Sequence, residues 1–270
     1  LCYLALGLAL ASIFMSSRLA AEETPDFDLV TIPGGTFAMG ARVATPDHPR
    51  TSVRVETFAL MRTEVTNAQF AAFVAASGHQ TDPERKGWGY SWDGRWARIA
   101  GADWRHPFGP STSIVERDDH PVVQISQRDA EAFCSFYGLR LPSEAEWEFA
   151  AHHPDGGRFP WGDDPPEARD GSRRANFGTV ACCAPDEADG YAMTAPVGSF
   201  PTGASSLGLL DMAGNVWEWT ASPYEDRDGQ VALRGGGWGN NPYCLRVSYR
   251  HGNPPDIGLD MVGFRCASDP

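Results

Sequence analysis

The chain has 270 residues, of which 42% are hydrophobic and 21% are charged, as is usual for a globular protein. Its formal net charge of −13 disfavours nucleic acids and anionic membrane surfaces as partners, and it suits an exported protein that meets divalent cations. The 29 glycines and 21 prolines indicate a fold that is rich in loops.

The first 21 residues carry the pattern of a signal peptide. The apolar run Tyr3–Met15 is too short to span a membrane, and small residues follow it up to Ala21. We therefore predict a signal peptide over residues 1–21 and an acidic linker over residues 22–28. The alternative is an uncleaved membrane anchor. Cleavage would leave an exported, periplasmic protein with no stable membrane association.

Residues 29–270 predict a single α+β domain with few helices and many short strands. Alternating apolar residues indicate strands, and apolar residues at helical spacing behind capping residues indicate helices. The strands are predicted within Leu29–Gly40 and Val53–Leu60, and the helices within Thr66–Ser77, from Ser126 to Tyr137, and after Pro142. A capping box at Ser143 and Glu146 marks the start of the third helix.

The segment His79–Glu116 shows no clear periodicity, but it is dense in aromatic residues. Its large rings are Trp88, Tyr90, Trp92, Trp96, Trp104 and Phe108. A loop of this length without regular structure is usually functional or is held in place by packing. We interpret the segment as a surface that lines a cleft, and simple loop packing is the alternative.

The stretch Leu207–Thr220 offers oxygen ligands beside two glycines. Asn215 and Glu218, together with the carbonyls of a tight turn, are hard ligands of the kind that calcium takes in sets of about six to eight. Trp217 and Trp219 are two residues apart, so an extended segment points both rings to one face. The alternative is an ordinary buried strand with polar ends.

A second oxygen-rich cluster precedes this stretch. The side chains of Asn176 and Asp189, with the backbone carbonyls of Phe177 and Tyr191, are able to enclose a hard cation such as calcium. The alternative is that Asn and Asp only cap turns at these positions.

Ordered motifs along the chain resemble those of the formylglycine-generating enzyme family, also called sulfatase-modifying factors. They are IPGGTFAMG (Ile32–Gly40), RTEVTNAQF (Arg62–Phe70), GADWRHPFGP (Gly101–Pro110), DDHPVVQIS (Asp118–Ser126), RLPSEAEWEFAA (Arg140–Ala151), PWG (Pro160–Gly162), APVGSFP (Ala195–Pro201), GNVWEW (Gly214–Trp219), LRGGGW (Leu233–Trp238) and GFRCA (Gly263–Ala267). The resemblance implies a C-type-lectin-like fold with little regular secondary structure. It also implies structural calcium at both oxygen-rich clusters.

The resemblance further implies one disulfide, because the family pairs the positions of Cys134 and Cys266. Active family members also hold copper(I) between two cysteines in the segment that here is Gly235–Arg250. The second of those cysteines aligns with Cys244. The first aligns with Gly239 or with its neighbour Asn240, neither of which is a thiol. One thiolate cannot form a two-thiolate copper site, so copper is not expected and formylglycine formation is in doubt.

Three interpretations of Cys244 stay open from the sequence. It is an inert buried thiol, or it pairs with Cys182 or Cys183, or it is reactive or binds a metal. The adjacent Cys182 and Cys183 lie between the two halves of the first oxygen-rich cluster. The sequence does not say whether either is oxidised.

An active cleft is predicted between the aromatic segment Gly87–Phe108 and the segment Gly235–Arg250. The second segment occupies the catalytic position of the family, and its polar side chains are able to orient a ring or an amide and to stabilise or accept charge. The candidate catalytic residues are Asn240, Tyr243, Cys244, Arg246 and Asp260. The candidate substrate-binding residues are Trp104, Arg105, His106 and Trp238. The alternative for the second segment is a set of turn-forming residues.

Two functions of different class follow. The first is an exported oxidative enzyme, acting as a monomer on a peptide or a peptide-derived molecule. It is similar in outline to the family branch of periplasmic proteins that mature pyoverdine siderophores. The second is a non-catalytic, calcium-stabilised binding or scaffold protein, since one fold hosts many functions. A true formylglycine-generating enzyme is the least favoured function.

Overall fold

The computed structural model describes residues 25–40, 50–152, 157–180, 182–225 and 227–270. The predicted signal peptide over residues 1–21 and the first part of the predicted linker lie outside these residues. Within the described ranges no helix is both long and apolar enough to cross a membrane.

The chain folds into many short strands and four α-helices in the part that the structure describes. The strands are β1 (Leu29–Ile32), β2 (Gly35–Met39), β3 (Thr51–Val55), β4 (Phe58–Met61), β5 (Trp88–Trp92), β6 (Trp96–Ala100), β7 (Trp217–Pro223), β8 (Val231–Arg234), β9 (His251–Asn253), β10 (Val262–Gly263) and β11 (Ala267–Ser268). The α-helices are α1 (Asn67–Ser77), α2 (Asp82–Lys86), α3 (Gln127–Phe136) and α4 (Glu144–His152). A single 3₁₀ turn is also present in the described residues, at Pro201–Gly203.

Four small sheets organise these strands. The largest has the order β10–β7–β8–β9, with β10 and β7 parallel and the other neighbours antiparallel. A three-stranded sheet, β1–β4–β11, joins the beginning of the domain to its C-terminus. The pairs β2–β3 and β5–β6 are separate antiparallel ribbons. This mixture of small sheets and few helices confirms the predicted α+β, C-type-lectin-like class.

Helices α1 and α3 begin at the capping boxes that their sequences predict. The hydroxyl of Thr66 accepts a bond from the backbone N–H of Gln69, and the side chain of Gln69 accepts one from the backbone N–H of Thr66. Ser126 and Asp129 make the same exchange at α3. Helix α1 ends at Gly78, whose φ of 69° suits a residue without a Cβ.

The predicted capping box of the third long helix also forms. The backbone N–H of Glu146 donates to the hydroxyl of Ser143, and the carboxylate of Glu146 accepts from the backbone N–H of Ser143. Arg140 pairs with Glu146 at 2.6 Å and with Asp269 at 2.7 Å, so the start of α4 is fastened to the C-terminus of the chain.

The aromatic segment His79–Glu116 is more regular than predicted. It contains the five-residue helix α2 and the β5–β6 hairpin, whose turn includes Gly94 at φ 69°. The helix is too short to show a period. The hairpin did leave a signal, because the alternating rings of β5 are followed by an Asp-Gly turn before Trp96. The rings of Trp92 and Trp96 face each other across the two strands, 5.7 Å apart.

The largest core cluster is aromatic and lies between α1, α3 and β7. Phe133 stacks on Phe70 at 5.9 Å and meets Phe264 edge-on at 5.3 Å. Trp219 is fully buried and Trp217 is nearly so, which confirms that both rings enter the core. Aromatic packing of this kind compensates for the shortness of the strands, since each ring removes a large apolar area from water.

The predicted disulfide between Cys134 and Cys266 is formed in the structure. It joins α3 to the segment between β10 and β11 across a sequence separation of 132 residues. Both cysteines are fully buried in the aromatic core. The crosslink therefore closes most of the folded domain into one covalent loop.

Replacing both core cysteines, Cys134→Ser/Cys266→Ser, should lower the free energy of unfolding by about 2–5 kcal/mol, because a long loop then gains entropy in the unfolded chain. Urea unfolding of the purified protein measures this. The matched control is Cys182→Ser/Cys183→Ser, which opens a disulfide between adjacent residues and should cost about 1 kcal/mol or less. Equal losses in the two variants would contradict the prediction.

Candidate functional site

The principal cavity has a volume of about 740 Å³ and opens between the β5–β6 hairpin and the segment Gly235–Arg250. Its lining residues are Lys86, Trp88, Tyr90, Trp96, Arg98, Cys182, Cys183, Trp217, Asn240, Cys244, Tyr249, His251, Asn253, Pro254, Asp256, Ile257, Leu259, Met261 and Val262. A cavity of this size, rich in aromatic rings with a few polar groups, is typical of a small-molecule or peptide site. It lies where the sequence predicted a cleft.

The β5–β6 hairpin supplies an aromatic wall that carries one cation. The guanidinium of Arg98 stacks over Trp88, 4.3 Å from the ring centre, and its Nε donates to the hydroxyl of Tyr90 at 3.1 Å. Among the described residues no carboxylate pairs with Arg98. The other cation of the lining, Lys86, is already paired with Asp256 at 2.8 Å. The uncompensated charge of Arg98 favours an anionic group on the ligand.

Asn240 is held in a fixed orientation on the opposite wall. Its Oδ1 accepts bonds from the indole Nε1 of Trp217 at 2.9 Å and from the backbone N–H of Gly237 at 3.1 Å. These two donors are buried, so the amide cannot turn without leaving them unpaired. Asn240 therefore helps to fix the segment Gly235–Arg250 against β7.

Cys244 lines the same wall beside Tyr249. The thiol is 6% exposed, and burial raises its pKa above the usual value. Burial, together with the hydrogen bond to Cys244, raises the pKa of Tyr249 to about 12. Both groups are therefore protonated at neutral pH, and Cys244 is a poor nucleophile as it stands.

Cys182 pairs with its neighbour Cys183, and this disulfide forms part of the cavity wall. The structure thus contradicts the interpretation in which Cys244 pairs with one of these two residues. The reason is geometric: the adjacent cysteines bond to each other, and Cys244 engages Tyr249 instead.

Two candidate catalytic residues lie outside the principal cavity. Tyr243 and Arg246 line a second cavity of about 700 Å³. The guanidinium of Arg246 lies 3.5 Å from the centre of the Tyr243 ring, and its Nε donates to the carbonyl of the same residue at 2.9 Å. A tight turn after Pro242 directs both side chains away from Asn240.

Asp260 is buried behind the cavity and does not line it. Its Oδ2 accepts the backbone N–H of Trp92 at 2.8 Å, and its own N–H donates to the carbonyl of Tyr90 at 3.1 Å. Burial raises the pKa of Asp260 to about 7. The residue anchors the aromatic hairpin, and the structure places this predicted proton acceptor outside the cavity lining.

Arg105 and His106 are also absent from the cavity lining. Arg105 pairs with Glu84 at 2.8 Å, and His106 with Asp103 at 3.1 Å. The first contact joins the segment after β6 to α2, and the second lies within that segment. The structure therefore does not bring these two predicted substrate-binding residues into the principal cavity.

The tryptophans Trp104 and Trp238 belong to the core instead. Trp104 is 2% exposed and packs against Phe70 at 5.3 Å. Trp238 is 1% exposed, and its Nε1 donates to the carbonyl of Asp260 at 3.3 Å. Burial rather than ligand contact accounts for both rings.

Several lining residues were missed by the sequence interpretation. They are Lys86, Arg98, Cys182, Cys183, Tyr249, His251 and Met261. Alternation within the hairpin pointed to Arg98. Nothing local pointed to the residues after Tyr249, because they reach the cavity through long-range pairing of β9 and β10.

The first oxygen-rich cluster has two buried oxygens without partners. These are Oδ1 of Asn176 and Oδ2 of Asp189, the side-chain atoms that would bind calcium. The carbonyl of Phe177 accepts a bond from Arg173 at 2.8 Å, and the same guanidinium nitrogen lies 3.7 Å from Asp189. An ion would displace Arg173 toward Asp186, with which it already pairs at 3.3 Å. The orphaned oxygens fit a hard cation.

The second oxygen-rich cluster is already satisfied at the atoms that were predicted as ligands. Oδ1 of Asn215 accepts the backbone N–H of Ala195 at 2.9 Å and the amide of Asn176 at 3.2 Å. Both carboxylate oxygens of Glu218 accept bonds from Arg265 at 2.7 Å. These atoms as arranged do not fit an ion.

Two buried acids beside this cluster escaped the sequence interpretation. Oε2 of Glu64 has no partner, and burial together with the charge of Asp211 raises the pKa of Glu64 well above its usual value. Burial also raises the pKa of Asp211. Only Arg265 balances these acids and Glu218 nearby, so a cation would find its charge complement here rather than at Asn215.

Comparisons with known proteins agree with this geometry. A family profile described as sulfatase-modifying factor enzyme 1-like domain matches residues 16–270. A formylglycine-generating enzyme of Thermomonospora curvata is 39% identical over 290 residues, which cover 90% of this chain and 93% of that protein. An inactive Cα-formylglycine-generating enzyme 2 of Mus musculus is 37% identical over 281 residues, covering 93% of this chain and 89% of that protein.

A solved structure, PvdO from Pseudomonas aeruginosa, has a similar fold. It superposes with a TM-score of 0.70 at 28% sequence identity and covers 90% of this chain and 94% of that one. The profile match, the identities and the shared fold extend over nearly the whole domain. The chain therefore belongs to the formylglycine-generating enzyme, or sulfatase-modifying factor, family.

Proposed function

We propose that the protein is an exported enzyme that oxidises a peptide-derived molecule, such as a pyoverdine-type siderophore precursor, in the principal cavity. The observation that carries the proposal is the position of the cavity. It opens between the aromatic hairpin and the segment at which active family members carry their copper cysteines. The presence of two disulfides is compatible with an oxidising, exported location.

The lining suits an electron-rich ring that is part of a larger polar molecule. The rings of Trp88, Trp96 and Trp217 provide flat surfaces for stacking, and Arg98 provides a charge for an acidic group. Openness to solvent along the hairpin leaves room for an attached peptide. Such a site holds the reacting ring in one orientation, which is a large part of catalysis.

The alternative is a binding or scaffold protein that uses the same cavity without chemistry. The murine relative that is named inactive shows that this family includes members without activity. Oδ1 of Asn240 already accepts two hydrogen bonds, and the thiol of Cys244 is protonated. Both facts are also consistent with a site that binds a ligand without reacting with it.

Deletion of the gene should cause an exported precursor to accumulate that carries two more hydrogens than the product, as seen by mass spectrometry of culture supernatants. The wild-type gene should restore the product. Trp96→Ala should restore at most about one tenth of it, since losing a stacking surface costs about 1.4 kcal/mol or more. Trp161→Ala is the matched control, because Trp161 lies outside the cavity.

An unchanged metabolite profile after deletion would contradict the oxidative function. Capture of the same exported molecule by the purified protein without conversion would then support the binding function. Equal rescue by the two tryptophan variants would show that the chemistry lies elsewhere in the molecule.

We also propose a structural calcium ion at the first oxygen-rich cluster. The side chains of Asn176 and Asp189 would hold it, with carbonyls of Phe177 and Tyr191 as further ligands. The support is the pair of buried oxygens that lack partners. The ion would neutralise Asp189, whose pKa is raised by burial, and would tie the cysteine loop to the core.

Removal of calcium with a chelator should lower the melting temperature by about 5–10 °C, because an ion at 100 times its dissociation constant stabilises by about 2.7 kcal/mol. Asp189→Ala should abolish that shift and should lower the calcium content found by elemental analysis. Asp170→Ala, at an exposed turn that holds only Ser172, is the control. A chelator-insensitive wild type without calcium would contradict the site.

The protein should not convert the cysteine of a sulfatase-type peptide to formylglycine when copper(I) and oxygen are supplied. The resemblance puts Gly239 or Asn240 where a second thiolate would be needed, and neither a glycine nor an amide oxygen replaces a thiolate for copper(I). Mass spectrometry of the peptide is the measurement, with an active family enzyme as positive control. Copper-dependent turnover would overturn the prediction.

A further inference from the structure

Three of the five cysteines in the described residues line the principal cavity, and two of them form its disulfide. Cys182 is exposed and Cys183 is 2% exposed, so one sulfur faces the cavity mouth and the other faces the interior. The Cys134–Cys266 disulfide differs in both respects, because its two cysteines are fully buried in the core. The molecule therefore has one accessible disulfide and one sealed disulfide among the described residues.

The accessible disulfide contributes little to the stability of the fold. A crosslink stabilises mainly by restricting the unfolded chain, and this effect grows with the length of the loop that it closes. Cys182 and Cys183 are adjacent, so their bond joins no distant parts of the chain. Its placement in the cavity wall needs a chemical rather than a structural explanation.

The loop that carries the disulfide is fixed against the segment Gly235–Arg250 on both sides. The backbone N–H of Gly178 donates to the carbonyl of Asn240 at 2.9 Å, and that of Ala184 donates to the carbonyl of Gly239 at 3.2 Å. A Cβ on Gly239 would lie 3.2 Å from Cβ of Cys183 and 2.7 Å from Cε of Met261. A side chain at position 239 would therefore make Met261 or the cysteine loop shift. The hydrogen bonds on both sides of the disulfide hold its loop against the cavity wall.

We propose that the Cys182–Cys183 disulfide is the two-electron acceptor for the molecule that is oxidised in the principal cavity. This rests on the proposed function. It assigns the redox group of the site to a pair of residues that the family comparison does not mark. It also explains why the accessible disulfide is present, since a crosslink between adjacent residues adds little stability.

The electron transfer balances as a substitution followed by an elimination. An electron-rich ring atom of the bound donor attacks Sγ of Cys182, and the S–S bond breaks with its electron pair on Sγ of Cys183, which takes a proton from the donor. The donor then loses a second proton, and its electrons expel Sγ of Cys182, which takes that proton. The donor has lost two electrons and two protons, and two thiols have formed.

Attack at Cys182 follows from access, since the incoming atom must reach the sulfur along the S–S axis. A second disulfide, on a small molecule or on a protein, restores the pair. The thiolate of Cys182 attacks that disulfide and forms a mixed disulfide, and the thiolate of Cys183 then displaces the bound thiol. One disulfide is consumed and two thiols leave, so each turnover closes.

The first test uses the purified mature protein, a limiting amount of tris(carboxyethyl)phosphine, rapid alkylation and peptide mass mapping. Cys182 and Cys183 should become alkylated at least about 10-fold faster than the sealed pair, while the protein stays folded, because the exposed Cys182 gives the reductant access to their disulfide and the sealed pair is fully buried. Oxidised dithiothreitol added before the alkylating agent should restore the bond. Opening of both disulfides at one rate, or failure of the reduced pair to close, would overturn the proposal.

The second test places variants in the gene-deletion background and quantifies the exported product. Cys182→Ser/Cys183→Ser should lower product formation at least about 100-fold, because serine cannot accept electrons. Val180→Ser, in the same loop but outside the cavity lining, should restore it fully. Wild-type levels from the double serine variant would overturn the proposal and leave the oxidative function intact.

The experiments distinguish failure of the proposed function from failure of the disulfide proposal. If the deletion itself changes no metabolite, the proposed function fails. In that case the reduction experiment still decides whether the pair cycles. A pair that opens selectively and closes again would support a redox role in the cavity, and one that does neither would exclude it.

Discussion

The buried ion pair between Arg265 and Glu218 is the interaction on which the rest of the structure depends. Both side chains are essentially inaccessible, and two parallel bonds of 2.7 Å join them. Arg265 also donates to the carbonyls of Met61, Arg62 and Leu210. A fold with so little regular structure leaves many carbonyls unpaired, and this one guanidinium satisfies three of them. Losing either charge would strand the other in the core, which is strongly destabilising.

A second buried arginine applies the same solution on the same face of the main sheet, because Arg234 lies directly opposite Glu218 in the pairing of β8 with β7. Arg234 pairs with Glu148 on α4 and donates to the carbonyls of Val247 and Tyr249. It thereby fixes the segment Gly235–Arg250 at its two ends, and the cavity wall inherits that rigidity.

The candidate site was predictable in outline and less so in its members. Asn240 and Cys244 reach the cavity, because the segment Gly235–Arg250 that carries them forms one of its walls. Tyr243 and Arg246 do not, since a single turn reverses the direction of neighbouring side chains. The β5–β6 hairpin was not predicted because its strands are only five residues long, although alternating aromatic residues and an Asp-Gly turn indicate it in the sequence. Arg105 forms an ion pair with Glu84, and no local sequence pattern predicts this partner.

The sequence alone determined the family, the α+β class and the capped helices, because ordered motifs and local spacing are displayed directly by a linear chain. The pairing of Cys134 with Cys266 followed from the family resemblance and not from spacing. Tertiary structure alone decided which aromatic rings face the cavity and which face the core, and that Cys182 bonds to Cys183 rather than to Cys244. These features depend on contacts between residues that are far apart in the chain. They also depend on the extent of burial, which shifts pKa values and differs between Cys182 and Cys183. These contacts form only in the folded chain, in which Arg234 and Arg265 are fully buried.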